Sequence, residues 1–174
     1  GDARVPCLDV LGLGAVALDE VLVLGSFPQA DRKAHILTRS TRHGGLTGAA
    51  LVAAARMGAR SAFAGVLGVD ALSDEVLDYL ARQDVDVSQA RRRPGVGPIR
   101  STILIGRDDG SRTVLSDRNG YVGPDLDWPP AEWIRRTRVL CVDHVGVTAQ
   151  ARAAAIAREA GIPVVADFER ATGP

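Results

Sequence analysis

Three short stretches carry residue types and spacings that could do chemistry. Gly12-x-Gly14-x-x-Ala17 fits the G-x-G-x-x-G/A pattern that follows the first strand of a dinucleotide-binding fold. In that setting the glycines open a helix whose free N–H groups and dipole hold a pyrophosphate. Asp19 interrupts an apolar stretch made of Leu18, Val21, Leu22, Val23 and Leu24. An ionised carboxylate only accepts hydrogen bonds, and charge-assisted bonds from hydroxyls are strong and directional. Two readings of Asp19 stay open: an exposed polar residue at a strand end, or a cleft residue that holds ligand hydroxyls. Gly44-Gly45 stands directly before an alanine-rich helical segment, Thr47 to Met57. Glycines there let a ligand approach the backbone beside a helix start with free N–H groups. A tight strand-to-helix turn would want the same residues.

The fingerprint fails its context test. Its glycines must lead into a helix, but strand-type residues follow them here, with Asp19-Glu20 in the middle. A dinucleotide-dependent oxidoreductase would need residues 15–24 to be helical. Otherwise Gly12 and Gly14 serve close packing or a bulge in a strand.

The elements that must position these residues follow from periodicity and punctuation. Val10 to Val16 reads as a buried strand, and Ala34 to Thr41 as another. The helix from Thr47 to Met57 stops at Gly58. Ser61 to Leu67 is a buried strand, and Leu72 to Gln83 an amphipathic helix with Leu72, Val76, Leu77 and Leu80 on one face. Val85-Asp86-Val87 follows. Ile99 to Gly106 and Arg112 to Ser116 flank Asp109-Gly110, a strong hairpin signal. A short helix around Ala131 to Arg136, a strand at Val139 to Val145, a helix at Thr148 to Ala160 and a strand at Ile162 to Phe168 complete the pattern. The alternation predicts a mostly parallel sheet flanked by helices. Residues about 18–41 and about 98–117 are β-only, and their simplest placement is a small sheet that caps a cleft.

Composition narrows the partners. The chain has 174 residues, 46% apolar and 24% charged, with 21 basic and 21 acidic residues and a formal net charge of zero. That balance supports neither nucleic acid nor a membrane as partner. Arg91-Arg92-Arg93 reads as a solvated loop beside Pro94 and Gly95. No apolar run is long enough to span a bilayer, and Gly1-Asp2-Ala3-Arg4 lacks a secretory-signal layout. The sole methionine is Met57, so the natural start is expected to be removed or replaced. Cys7 and Cys141 read as two buried reduced thiols of a cytoplasmic protein. His35, His43 and His144 have no metal-site spacing and read as ordinary histidines; no metal ligands are assigned. No G-x-S-x-G nucleophile elbow occurs.

The order of these features resembles the ribokinase-like sugar kinases, the PfkB family. Gly14, Asp19, Phe27-Pro28, Gly44-Gly45, Ala53-Ala54-Ala55-Arg56-Met57-Gly58, Gly65-Val66-Leu67-Gly68-Val69-Asp70 and Asp84-Val85-Asp86-Val87-Ser88 follow the order of its N-terminal half. Gly110-Ser111-Arg112-Thr113-Val114 is similar to its lid hairpin, and the spacing around Leu18-Asp19 and Arg112-Thr113 looks most like the ketohexokinase-type branch. The resemblance implies an α/β, ribokinase-like fold, a central mostly parallel sheet flanked by helices with a small β-sheet lid. It covers essentially the whole chain but only the first half or so of the family's domain. The family's G-A-G-D motif, which carries the catalytic base, does not occur. Residues 1–174 are therefore expected to form one incomplete domain, ending at Gly173-Pro174, with the base beyond residue 174.

What the resemblance implies is a sugar kinase. It would move the γ-phosphate of ATP, with Mg²⁺, to a hydroxyl of a carbohydrate or related small alcohol. A nucleoside kinase and a non-catalytic sugar-binding homologue remain as alternatives. In this half Asp19 would hold acceptor hydroxyls, and Gly44 and Gly45 would present backbone to them. Asp143 matches an acidic residue near the acceptor, or is a polar strand end. Arg112 would reach phosphate or substrate, or is an exposed lid charge. Asp167 ends the last strand, where open α/β sheets place ligands, or merely terminates it. Two polar positions of the family fall at Leu46 and Ala49, which leaves the identity of the acceptor open. Family members often pair through the lid, so a homodimer of that kind is an expectation.

Overall fold

A computed structural model of the protein describes residues 7–169; both chain ends, including Gly173-Pro174, lie outside it. The elements run β1 (Leu8–Gly12), β2 (Ala17–Leu24), β3 (Ile36–Gly44), α1 (Leu46–Arg56), β4 (Ser61–Phe63), β5 (Val66–Leu67), α2 (Ala71–Arg82), β6 (Val85–Asp86), β7 (Arg91–Arg92), β8 (Ile99–Gly106), β9 (Arg112–Asp117), α3 (Ala131–Arg135), β10 (Thr137–Asp143), α4 (Val147–Glu159) and β11 (Val164–Asp167). β11, β10, β1, β4 and β6 lie side by side in that order, every pair parallel. The chain leaves β1 toward β4 and later returns to its other side at β10. The β1/β10 boundary is thus the switch point where open α/β sheets form their crevice.

Residues 17–44 and 99–117 make a second sheet in the order β3-β2-β8-β9. β2 and β8 are parallel, Ala17 opposite Ile99 through Leu24 opposite Gly106, and the outer pairs are antiparallel. Since residues 17–24 are extended, the helix that a dinucleotide loop demands is absent. This removes the oxidoreductase reading.

Two apolar clusters hold the central sheet. Leu11, Leu13, Ala62, Ile134, Leu140, Ala153 and Ala157 bury the α3/α4 side. Val16, Leu51, Phe63, Leu67, Val76 and Leu80 bury the α1/α2 side. Asp70 caps α2 by accepting the Ser73 N–H at 3.0 Å, an interaction of about 1 kcal/mol. The Gly68-Val69-Asp70 stretch is thereby a helix start.

Four expectations need correction. The strand expected over Val10 to Val16 ends at Gly12: Leu13 to Val16 cross to the second sheet, where the Ala15 N–H donates to the Asp143 side chain, the Ala15 carbonyl accepts the Gly48 N–H of α1 and the Val16 carbonyl accepts the Ile99 N–H of β8. The strand expected over Ser61 to Leu67 breaks after Phe63. Gly65 packs so closely on the Phe63 ring that a Cβ there would meet its Cζ at 2.4 Å. β5 then pairs with β7 in a separate two-stranded ribbon. Arg91-Arg92-Arg93 is no solvated loop. Arg91 bonds Asp125 and Asp127 at 2.9 Å each and lies 4.4 Å over the Trp128 ring, while Arg93 pairs with Asp125. Cys7 is exposed; only Cys141 is buried.

Candidate functional site

The second sheet meets the central one at Gly44, Gly45 and the crossover Leu13 to Val16. Gly44 lies opposite Ala17, and a Cβ there would come within 2.6 Å of Asp19 Oδ2. The missing side chain is what gives the carboxylate its place. Gly45 has φ +89° and would drive a Cβ to 2.5 Å from the Ala15 carbonyl. It starts α1, whose first turn no side chain caps. Gly48 N–H donates to that same Ala15 carbonyl at 3.0 Å, which seats the helix start on the crossover.

Asp19 is partly buried on β2, opposite Ser101 on β8. Loss of water pushes its carboxyl above the ordinary value, opposed by the Ser101 hydroxyl and by His43. The charged form is therefore poorly compensated by the protein itself.

Asp143 has the opposite environment. It is buried, and its oxygens accept four donors: Ala15 N–H at 2.7 Å and Thr47 Oγ1 at 2.8 Å on Oδ2, Val145 N–H at 2.9 Å and Gln150 Nε2 at 3.0 Å on Oδ1. Gln150 Oε1 in turn accepts the Asp143 N–H at 2.7 Å. The acceptor capacity of the Asp143 carboxylate is thus used within the fold. Asp143 fills the switch point and ties the crossover after β1, α1 and α4 together. Gly12 and Gly14 are explained by this packing: a Cβ at Gly14 would meet Asp143 Oδ2 at 2.1 Å, and one at Gly12 would meet Thr47 Cγ2 at 2.6 Å. Tyr121 grips the same crossover, its hydroxyl donating to the Gly14 carbonyl at 3.1 Å.

Arg112 is not brought to this place. It pairs with Ile105, which pairs with Val23, whereas Asp19 pairs with Ser101. Four residues along the strands separate them, about 13 Å at a rise of about 3.3 Å per residue. Asp167 is exposed on the edge strand opposite Asp143. His35 is exposed, His43 stacks on Tyr79 at 4.0 Å, and His144 follows Asp143 with its Nδ1 unpartnered. Among the described residues no three His, Cys, Asp or Glu side chains converge as a metal site, and no helix is long and apolar enough to cross a membrane.

Two hollows flank the junction. A cavity of about 220 Å³ lies between α1 and α2 behind Gly44, lined in part by His43, Ala49, Ala53 and Tyr79. A wider groove runs between the second sheet and α2 past Leu18, Glu20 and Arg100. Side chains alternate along a strand, so Asp19 points to the other face from Leu18 and Glu20. Ala49 is exposed and Leu46 half-buried; neither supplies a polar group.

Thr47, Gln150 and Tyr121 escaped the sequence reading. The first two had a usable signal. Each is the polar member of an otherwise apolar buried stripe, Thr47 with Leu51 on α1 and Gln150 with Ala149, Ala153 and Ala157 on α4.

Comparison with known proteins adds a family and a fold. A model of the pfkB family of carbohydrate kinases matches residues 10–171. Ketohexokinase of Mus musculus is 27% identical over 106 residues, 61% of this chain and 36% of that protein. A putative ribokinase from Agrobacterium tumefaciens superposes with a TM-score of 0.83 at 24% identity, over 93% of this chain and 53% of its own. Arabidopsis thaliana ribokinase, solved with ribose and ATP, gives 0.79 at 17% identity, over 97% and 56%. The fold is that of the ribokinases, and the chain spans about half the length of these two solved relatives.

Proposed function

The chain belongs to the pfkB family of carbohydrate kinases, and from that premise we propose that it forms the acceptor side of an ATP-dependent kinase acting on a sugar or related small alcohol. The observation that carries this reading is the Asp19 carboxylate seated over Gly44 at the junction of the two sheets. It is partly buried, and burial raises its pKa. A charge held in that state has acceptor capacity to spare for ligand hydroxyls. Asp19 would orient the acceptor, and Gly44 and Gly45 would let it reach the backbone at the start of α1. The lid is the β3-β2-β8-β9 sheet, and residues 7–169 are part of a larger domain.

ATP is the phosphoryl donor in this reading, as the Arabidopsis relative solved with ribose and ATP suggests. The catalytic base, the nucleotide pocket and the groups that hold Mg²⁺ belong to the rest of the family's length. Among the described residues no three His, Cys, Asp or Glu side chains form a group for the metal. Phosphoryl transfer depends on positioning and charge stabilisation, and this half contributes positioning. A cytoplasmic setting with ATP accompanies the reading.

The lid also suggests a pair of copies. Val21-Leu22-Val23 on β2 and Ile103-Leu104-Ile105 on β8 are apolar on both faces of the sheet, and all six are only partly buried. One face turns toward the acceptor, and a second copy of this chain would cover the other.

A nucleoside acceptor is the second reading. The apolar Leu46 and Ala49 stand where hydroxyl partners are expected, and a polyhydroxylated ligand left without partners binds weakly. The test is ADP release by the full-length protein with ATP and a panel of sugars and nucleosides. Turnover of one class names the acceptor. Asp19→Asn should then raise the acceptor KM by about tenfold or more, the scale of a lost charge-assisted hydrogen bond. An unchanged KM removes Asp19 from the site, and no turnover with any acceptor favours a non-catalytic sugar-binding homologue.

A further inference from the structure

Asp143, Gln150 and Thr47 form a buried hydrogen-bonded unit under the junction that carries Asp19 and Gly44-Gly45. Gln150 is 2% exposed and Thr47 0%, so neither reaches a ligand. Their geometry has a direction. Gln150 Nε2 and Val145 N–H occupy Asp143 Oδ1, while Gln150 Oε1 takes the Asp143 N–H. The carboxylate is thus clamped from the α4 side and turns Oδ2 to the other side. There Oδ2 receives Ala15 N–H from the crossover and Thr47 Oγ1–H from the first turn of α1. Those two segments carry the two halves of the acceptor site. The crossover leads into β2 and Asp19, and the α1 start follows Gly44 and Gly45.

We propose that Gln150 and Thr47 are positioning residues for the acceptor. Through Asp143 they fix the start of α1 and the β1–β2 crossover in one relative placement, and together with the β2/β3 pairing of Ala17 with Gly44 that placement holds Asp19 against the Gly44-Gly45 backbone. The inference rests on the kinase reading above. A saturated carboxylate in a dry interior accepts two bonds on each oxygen, and removing one donor leaves a buried lone pair without a partner. The whole junction then shifts, since packed interiors transmit small displacements. A misplacement of about 1 Å at a reacting group costs on the order of a hundredfold in rate.

The experiment compares Thr47→Val, Thr47→Ser and Gln150→Glu in the full-length protein, reading steady-state kinetics and amide hydrogen exchange. Thr47→Val keeps shape and loses the donor, whereas Thr47→Ser keeps the donor. Thr47→Val and Gln150→Glu should raise the acceptor KM roughly ten- to a hundredfold, with the KM for ATP within about twofold. Exchange should quicken at residues 13–19 and 44–50 and not elsewhere, and Thr47→Ser should restore both. If Gln150→Glu fails to fold, the threonine pair still decides. Wild-type acceptor KM and wild-type exchange in Thr47→Val overturn the proposal, as does a Thr47→Ser variant as impaired as Thr47→Val. Exchange that rises uniformly over the molecule assigns the unit to stability alone and also overturns it. If the wild-type protein phosphorylates no alcohol, the kinase reading fails, and the exchange pattern alone tests the coupling of the two segments.

Discussion

Gly14→Ala gives the most direct check on the packing at the switch point. Gly14 is not among the residues with positive φ, so its backbone conformation does not require glycine. The demand is steric. An added Cβ would sit 2.1 Å from Asp143 Oδ2 and 2.4 Å from Thr47 Oγ1, well inside contact distance, and the carboxylate would have to move. Moving it breaks or lengthens the bonds from Ala15 N–H and Thr47 Oγ1. A hydrogen bond to a charged group contributes about 1.5–3 kcal/mol, and overpacking costs about 1–3 kcal/mol. Relaxation shares these losses, so the expected cost is about 3 kcal/mol, a large part of a typical folding free energy of about 5–15 kcal/mol. Urea denaturation of the full-length protein measures it, with Gly25→Ala as control because nothing lies within 4 Å of a Cβ at Gly25. The mechanism predicts coupling as well: Gly14→Ala should cost clearly less in an Asp143→Ala background, where the carboxylate it strikes is gone. A Gly14→Ala variant within about 0.5 kcal/mol of wild type, or strict additivity with Asp143→Ala, would refute the reasoning.

Further outcomes are expected at neighbouring positions. Gly45→Ala combines positive φ with a Cβ 2.5 Å from the Ala15 carbonyl and should cost roughly 2–4 kcal/mol by the same assay. Asp19 has a folded-state pKa raised by burial. Its stabilising protonated form is complete below the unfolded carboxylate value and is lost as pH rises through the folded value. Asp19→Asn should therefore raise Tm at neutral pH while weakening acceptor binding, and the Tm difference should shrink on acidification; a lowered neutral-pH Tm contradicts this. Arg91→Lys keeps a charge but loses the planar contact with Trp128 and the bridge between Asp125 and Asp127. A loss of about 1 kcal/mol is expected, visible in the denaturation midpoint.

Much of the architecture was readable because its signals are local. Strand and helix alternation, the Asp109-Gly110 hairpin and the Gly58 stop each depend on a few neighbouring residues. The junction was less readable because its determinants are distant in sequence: the Thr47–Asp143 bond spans 96 residues and the Ala15–Asp143 bond spans 128. Asp143 was legible as an acidic strand end, but its saturation by four donors follows only from packing. The place of Arg112 was hidden for a related reason. Its residue type suits a phosphate, but hairpin register sets it four pairs from Asp19, and register depends on where two strands meet. Arg91-Arg92-Arg93 looked solvated because its partners are distant in sequence: Asp125 and Asp127 lie more than thirty residues from Arg91 and Arg93, and Asp74 lies 18 residues from Arg92.

The two carboxylates at this end of the molecule explain why a glycine pattern resembling a cofactor loop occurs without the loop. Asp143 is fully buried and fully answered by donors. Glycine is needed at 12 and 14 because Thr47, Leu51 and Asp143 occupy the space their side chains would fill. Asp19 is partly buried and under-answered, and glycine is needed at 44 because the Asp19 carboxylate occupies that space. A buried carboxylate whose acceptor sites are filled offsets most of its desolvation cost. One left short of donors raises the energy of the fold. The glycines at 12 and 14 thus pack the scaffold, and the glycine at 44 makes room for a carboxylate with acceptor capacity to spare.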